Sequence, residues 1–169
     1  HKLLKDQITF ITSQELLDKY PDVKDPTERE RLAVKEYGAI FLMQIGNRLS
    51  NGEKHDNRAP DYDDWLLNGD LIVYNEILDD QLELSSMGIR VNSHRLNEQL
   101  KASDNLDRLK FDYHRMLIDG NLPQTIGGGI GQSRLCMFFL QKAHIGEVQV
   151  SYWPDEYRKA LENKGIVLL

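Results

Sequence analysis

The chain has 169 residues, 40% hydrophobic and 28% charged, and a formal net charge of -6. That length and composition suit a soluble unit with one sizeable core, and an acidic balance with no run of Lys or Arg argues against a dedicated nucleic-acid binder. The only cysteine, Cys136, excludes an internal disulfide. In the apolar run Leu135 to Leu140 it is expected to be a buried thiol, which fits a reducing, cytoplasmic compartment. No stretch has the length to cross a bilayer, and His1-Lys2-Leu3-Leu4-Lys5-Asp6 lacks the apolar run of a signal peptide, so neither membrane attachment nor export is expected.

In chain order, Gln7 to Ile11 reads as a strand with no lead-in, and a further portion upstream is expected. Thr12 followed three residues later by Glu15 is a capping box for a helix through Leu16 and Leu17 that stops at Tyr20-Pro21. Asp25 with Pro26 at the first helical position opens a second helix, which ends before Gly38. Ala39 to Gly46 has strand length and branched or aromatic content and is assigned as a buried strand. Residues 47–65, with Asn51-Gly52, Pro60 and Asp61-Tyr62-Asp63-Asp64, form a polar loop long enough to carry function. Asp70 to Leu78 and Gln81 to Val91 predict a tight antiparallel hairpin across Asp79-Asp80.

Leu96 and Leu100, then Leu106, Leu109, Tyr113, Met116 and Leu117, recur at helical spacing and predict two amphipathic helices covering one sheet face, closed by Gly120. After Pro123, the run Gln124-Thr-Ile-Gly-Gly-Gly-Ile-Gly-Gln-Ser-Arg134 predicts a Gly-rich strand feeding a buried helix through Leu140. A strand near Glu147 to Tyr152 and a short helix opened by Pro154-Asp155 complete the chain. With no repeat or linker, the reading is one α+β unit.

Four features can carry chemistry. Successive glycines let a backbone approach a ligand, the following helix start favours anions, and Arg134 can clamp phosphate oxygens. The segment is neither a P-loop nor a spaced dinucleotide fingerprint, and a tight strand-to-helix passage is the plain alternative. In Glu83-Leu-Ser-Ser-Met-Gly-Ile-Arg90, Glu83 and Arg90 point to opposite faces of a regular strand, and a bulge at Gly88 would unite them. Asp70 with Glu83 on adjacent strands could share Mg²⁺, and the loop His55 to Trp65 is either functional or merely solvated. His55, His94, His114 and His144 have no paired metal spacing, so zinc is not expected and no histidine receives a role.

Arg58-Ala-Pro-Asp-Tyr-Asp-Asp-Trp65, Leu67-Asn-Gly-Asp70, Glu83 to Arg90 and Pro123 to Leu135 together resemble, in order, the ammonia-dependent asparagine synthetase (aspartate ammonia ligase) family. The last two blocks are highly specific. The resemblance implies a class II aminoacyl-tRNA synthetase-like fold, an antiparallel sheet flanked by helices, with the Gly-rich segment as motif 3. It also implies a homodimer that converts aspartate, ATP and ammonia to asparagine, AMP and pyrophosphate with Mg²⁺. On this resemblance Arg134, with Gly129 and Gly131, holds the triphosphate. Asp70 and Glu83 bind nucleotide directly or through Mg²⁺, and Arg90 takes the aspartate α-carboxylate. Ser86 is a weaker substrate contact, and Asp63 contacts substrate or helps deprotonate ammonium.

Two departures qualify the resemblance. Family members are about twice as long, so residues 1–169 are expected to be the C-terminal half of one catalytic domain, inactive alone. A short family segment is also absent between Trp65 and Leu66, through a flexible loop, a nick or a deletion, of which the flexible loop is expected. The alternatives are a fragment of an aspartyl- or asparaginyl-tRNA synthetase and a non-catalytic regulatory paralogue.

Overall fold

Capping chemistry starts the first two helices. Strand β1 (Thr9–Thr12) runs into α1 (Ser13–Lys19), where the Thr12 hydroxyl accepts from the Glu15 amide and the Glu15 carboxylate accepts from the Thr12 amide. Asp25 caps α2 (Pro26–Tyr37), and Gly38 closes it at φ 82°. Strand β2 (Ala39–Met43) follows. The computed structural model describes residues 3, 4 and 6–169, so His1, Lys2 and Lys5 of the polar opening lie outside the described residues.

The hairpin is longer than its sequence signal. Strands β3 (Asp63–Asn75) and β4 (Asp80–Arg90) form it, so the polar loop ends at Asp63 and the turn is Glu76 to Asp79 rather than Asp79-Asp80. Asn75 Oδ1 accepts from the amides of Ile77 and Leu78, which ends β3 early. Helices α3 (Ser93–Ala102) and α4 (Asp112–Ile118) follow. The Gly-rich run is β5 (Ile126–Ile130), followed by α5 (Gln132–Phe139) and a final α6 (Asp155–Glu162).

The five strands lie side by side in chain order. All pairs are antiparallel except β1 with β2, which is parallel because the α1–α2 crossover returns the chain in the same direction. The sheet is therefore mixed, where a purely antiparallel one was expected. Helices α1 and α2 cover one face over Ile11, Ile40, Leu42 and Ile72, and α5 sets Phe138 against Ala39, Val73 and Leu84 on the other.

Three further expectations are corrected. Helices α3 and α4 enclose Val91, Leu96, Leu100 and Leu117 in a separate small core beyond the end of β4, instead of covering a face. Helix α5 turns Met137 and Phe138 inward and leaves Cys136 exposed, so the thiol is not buried. No strand forms over residues 147–152, where Val150 and Tyr152 are exposed. His144 and Glu147 instead cap a short 3₁₀ turn, Ile145–Glu147. No described helix is long and apolar enough to cross a membrane.

Candidate active site

The face that α1 and α2 leave open between β3 and β5 carries the polar residues singled out in the sequence. Leu71 lies opposite Ser85 and Ile72 opposite Glu83, which leaves Leu84 as an extra residue in β4. This bulge turns Glu83 onto the face of Ser86 and Arg90. It sits at Leu84 and not at Gly88, which pairs regularly with Asn68 and Gly127. Gly88 is glycine for another reason: a Cβ there would lie 2.7 Å from Cγ of Asp63.

A cavity of about 480 Å³ brings Glu83, Ser86, Arg90 and Arg134 together with Gly129 and Gly131, and Asp63 stands at its side. Arg90 is bound to the Asp63 carboxylate, donates to the Tyr62 hydroxyl at 2.9 Å and lies 3.9 Å from the centre of the Tyr62 ring. Gly127 completes its enclosure, because any Cβ at that position collides with the guanidinium. The guanidinium is thus held on three sides. Gly129 has open space where a Cβ would stand, so a ligand can approach its backbone. Arg134, in the first turn of α5, donates to the Glu83 carbonyl at 3.2 Å and remains about half exposed, able to turn to an anion.

Asp70 is not in that cavity. It lines a second one of about 480 Å³ with Glu30, His55 and Arg58, and the Glu83 and Arg134 side chains border both. Arg58 binds Asp70 Oδ2 and reaches the Ser86 hydroxyl at 3.4 Å, while Asp70 Oδ1 is buried without a hydrogen-bond partner. Burial pushes the Glu83 carboxyl up, and the Asp70 charge adds to this, while Arg134 and Arg58 oppose it. Two carboxylates close enough to feel each other invite a cation between them. Among the described residues, no three of His, Cys, Asp or Glu come together as a metal site.

Sequence reasoning passed over Arg58, Tyr62 and Gln99 as site residues. Arg58 and Tyr62 lie inside a block singled out for other members, but their partners are distant in sequence. Gln99 gave no signal, since a helical glutamine is ordinarily solvated.

A family model described as aspartate-ammonia ligase matches residues 1–165. The chain belongs to the aspartate-ammonia ligase family. Curated aspartate–ammonia ligases of Ligilactobacillus salivarius and Clostridium perfringens are 58% identical over 166 residues and 56% over 168. These alignments take in 98% and 99% of this chain but 49% and 50% of the relatives, so the chain spans about half their length. Among solved structures, the Entamoeba histolytica asparaginyl-tRNA synthetase superimposes with a TM-score of 0.56 at 16% identity, over 88% of this chain and 36% of that one. The aspartyl-tRNA synthetase of the same organism gives 0.57 at 18%, over 88% and 32%. The fold is that of the class II synthetase catalytic domain, and the family match gives the ligase its precedence over the tRNA-synthetase alternative.

Two predictions arise from this geometry. Gly127→Ala is expected to push the Arg90 guanidinium away from Asp63 and Tyr62, with the unfolding midpoint little changed. The guanidinium resonances of Arg90, read by NMR beside a urea unfolding curve, check it, and unmoved resonances would show that Arg90 has room to relax. The second concerns Asp61, where burial raises the carboxyl but hydrogen bonds from Arg108 at 2.8 Å and His114 at 2.9 Å outweigh it, so the net shift is downward. A depressed folded-state pKa contributes stability that is present above the unfolded value, about 3.9, and is lost as pH falls through the folded one. Asp61→Asn is therefore expected to be less stable than the parent at pH 7, the gap closing below about pH 4. Urea unfolding across that range measures it, and a gap that does not depend on pH would refute the charge linkage.

Proposed function

We propose that this chain supplies the nucleotide- and aspartate-binding face of an enzyme that converts L-aspartate, ammonia and ATP to L-asparagine, AMP and pyrophosphate. A carboxylate repels a nucleophile and has no good leaving group. Joining the β-carboxylate to the α-phosphate makes AMP the leaving group, and ammonia then attacks the β-aspartyl-adenylate. The observation that carries this reading is the pair of guanidiniums, Arg90 and Arg134, on one cavity floored by Gly129 and Gly131. Arg90 grips the α-carboxylate as a bidentate pair, which leaves the β-carboxylate facing the α-phosphate, and Arg134 binds the triphosphate. Gripping the other carboxylate would give the tRNA-synthetase product, so the target of Arg90 decides the chemistry. Ser86, whose hydroxyl accepts from Arg58 at 3.4 Å, contacts substrate in the same cavity. Asp63 is committed to Arg90, so holding that guanidinium beside the substrate is the role its geometry supports over taking the ammonium proton.

Mg²⁺ fits the residues present. The unpartnered Asp70 Oδ1 and the Glu83 carboxyl, which burial and the Asp70 charge push up, are two hard oxygen donors, the number a magnesium ion takes from protein when phosphates and water complete its shell. When bound, the ion supplies neutralisation of phosphate charge. The homodimer implied by the family resemblance and a cytoplasmic setting belong to the same reading.

The test is formation of AMP and asparagine by the complete polypeptide carrying this chain, given ATP, Mg²⁺, aspartate and ammonium. Arg134→Ala serves as control, and tRNA aminoacylation is run in parallel. Asparagine formed one-for-one with AMP and lost in the control supports the ligase. AMP formation that requires tRNA would overturn it.

A further inference from the structure

Gln99 is 1% exposed, on the inner side of α3. A buried amide is costly unless its donors and acceptor are met, and here all are. Nε2 donates to the carbonyls of Pro60 at 2.9 Å and Asp63 at 3.0 Å, and Oε1 accepts from the Trp65 amide at 2.8 Å. One side chain therefore clamps the backbone from Pro60 to Trp65.

That segment needs a clamp. Asp63 pairs with Arg90 and Asn68 with Gly88, so β3 carries three more residues than β4 between these pairs, and its backbone there lacks ladder partners. Just before this stretch the Val91 amide donates to the Tyr62 carbonyl at 2.9 Å. Two of the three sides of the Arg90 enclosure, the Asp63 carboxylate and the Tyr62 ring and hydroxyl, hang from the clamped segment. Gln99 touches neither the cavity nor Arg90, yet its amide sets the backbone that aims both walls.

We propose that Gln99 is a positioning residue for aspartate recognition, acting through Asp63 and Tyr62 on the aim of Arg90. This rests on the function proposed above in one respect only, that Arg90 grips the substrate carboxylate. The variants are Gln99→Met, which keeps the length without the amide, and Gln99→Glu, which keeps an acceptor for Trp65 and loses both donors. Aspartate KM is expected to rise tenfold or more, by roughly the factor that small misplacements of a binding group produce, while ATP KM stays within about twofold. Lowering the pH is expected to recover part of the loss in Gln99→Glu alone, as protonation restores one donor. A substrate-free readout accompanies the kinetics: hindered rotation is expected to keep the Arg90 guanidinium nitrogens distinct by NMR in the parent, and they are expected to merge in the variants. If they merge while the parent fails to use aspartate, the functional assignment falls and the positioning role stands. Unchanged Arg90 resonances in a folded variant, or equal rises in both KM values, would overturn the proposal. Should Gln99→Met not fold, Gln99→Glu decides by the same two readouts.

Discussion

Arg90→Lys is expected to lower kcat/KM for aspartate by about two to three orders of magnitude, with a much smaller effect on ATP. The native guanidinium is a planar fork fixed by the Asp63 carboxylate, the Tyr62 hydroxyl and the Tyr62 ring, and it lines the cavity that Glu83 and Arg134 share. Lysine offers one point charge on a flexible stem, cannot grip both oxygens of a carboxylate in plane, and cannot satisfy Asp63 at the same time. Charge-assisted hydrogen bonds contribute about 1.5–3 kcal/mol each, so losing one or two accounts for the expected range. The measurement is AMP formation against varied aspartate at saturating ATP. An aspartate KM equal to that of the parent would remove Arg90 from the substrate.

Trp65→Ala is expected to cost about 3–5 kcal/mol of stability, a large part of the roughly 5–15 kcal/mol that holds an ordinary domain together. The side chain is 1% exposed and is packed flat on Gly46, where an added Cβ would come within 2.5 Å of the ring. Gly46 also has φ 128°, in the region that favours glycine, so the pair cannot be exchanged for a larger residue and a smaller ring. Truncation would empty the space between the polar loop and the start of β3, and the rigid Gly46 turn limits how far the site can collapse. Urea unfolding with an unchanged m-value is the measurement. A loss below about 1 kcal/mol would show that the loop closes over the gap.

Local signals were legible wherever the reason for the structure lies within a few residues. The Thr12–Glu15 box, the Asp25-Pro26 start, the Gly38 stop and the passage from a Gly-rich strand into α5 all depend on neighbouring side chains and backbone angles, and they stand where the sequence puts them. The strand expected over residues 147–152 failed for the opposite reason. Branched and aromatic content gives a segment the ability to pair, but pairing needs a neighbour, and Val150 and Tyr152 find none on the sheet.

Composition, capping and the four motif blocks by themselves determined an α+β unit of the aspartate-ammonia ligase family and most of the residues that meet at its cavity. Only the tertiary structure decided how they meet. The bulge at Leu84 rather than Gly88 brings Glu83 to the face of Arg90, because which residue a strand accommodates as extra depends on its partner strand's register. Asp70 falls in the adjoining cavity under Arg58, and Asp63 is bound to Arg90, because charges far apart in the chain choose partners by proximity after folding. Gln99 acquires its place for the same reason: an irregular backbone, made by three-dimensional register, leaves carbonyls and an amide that one buried side chain can satisfy.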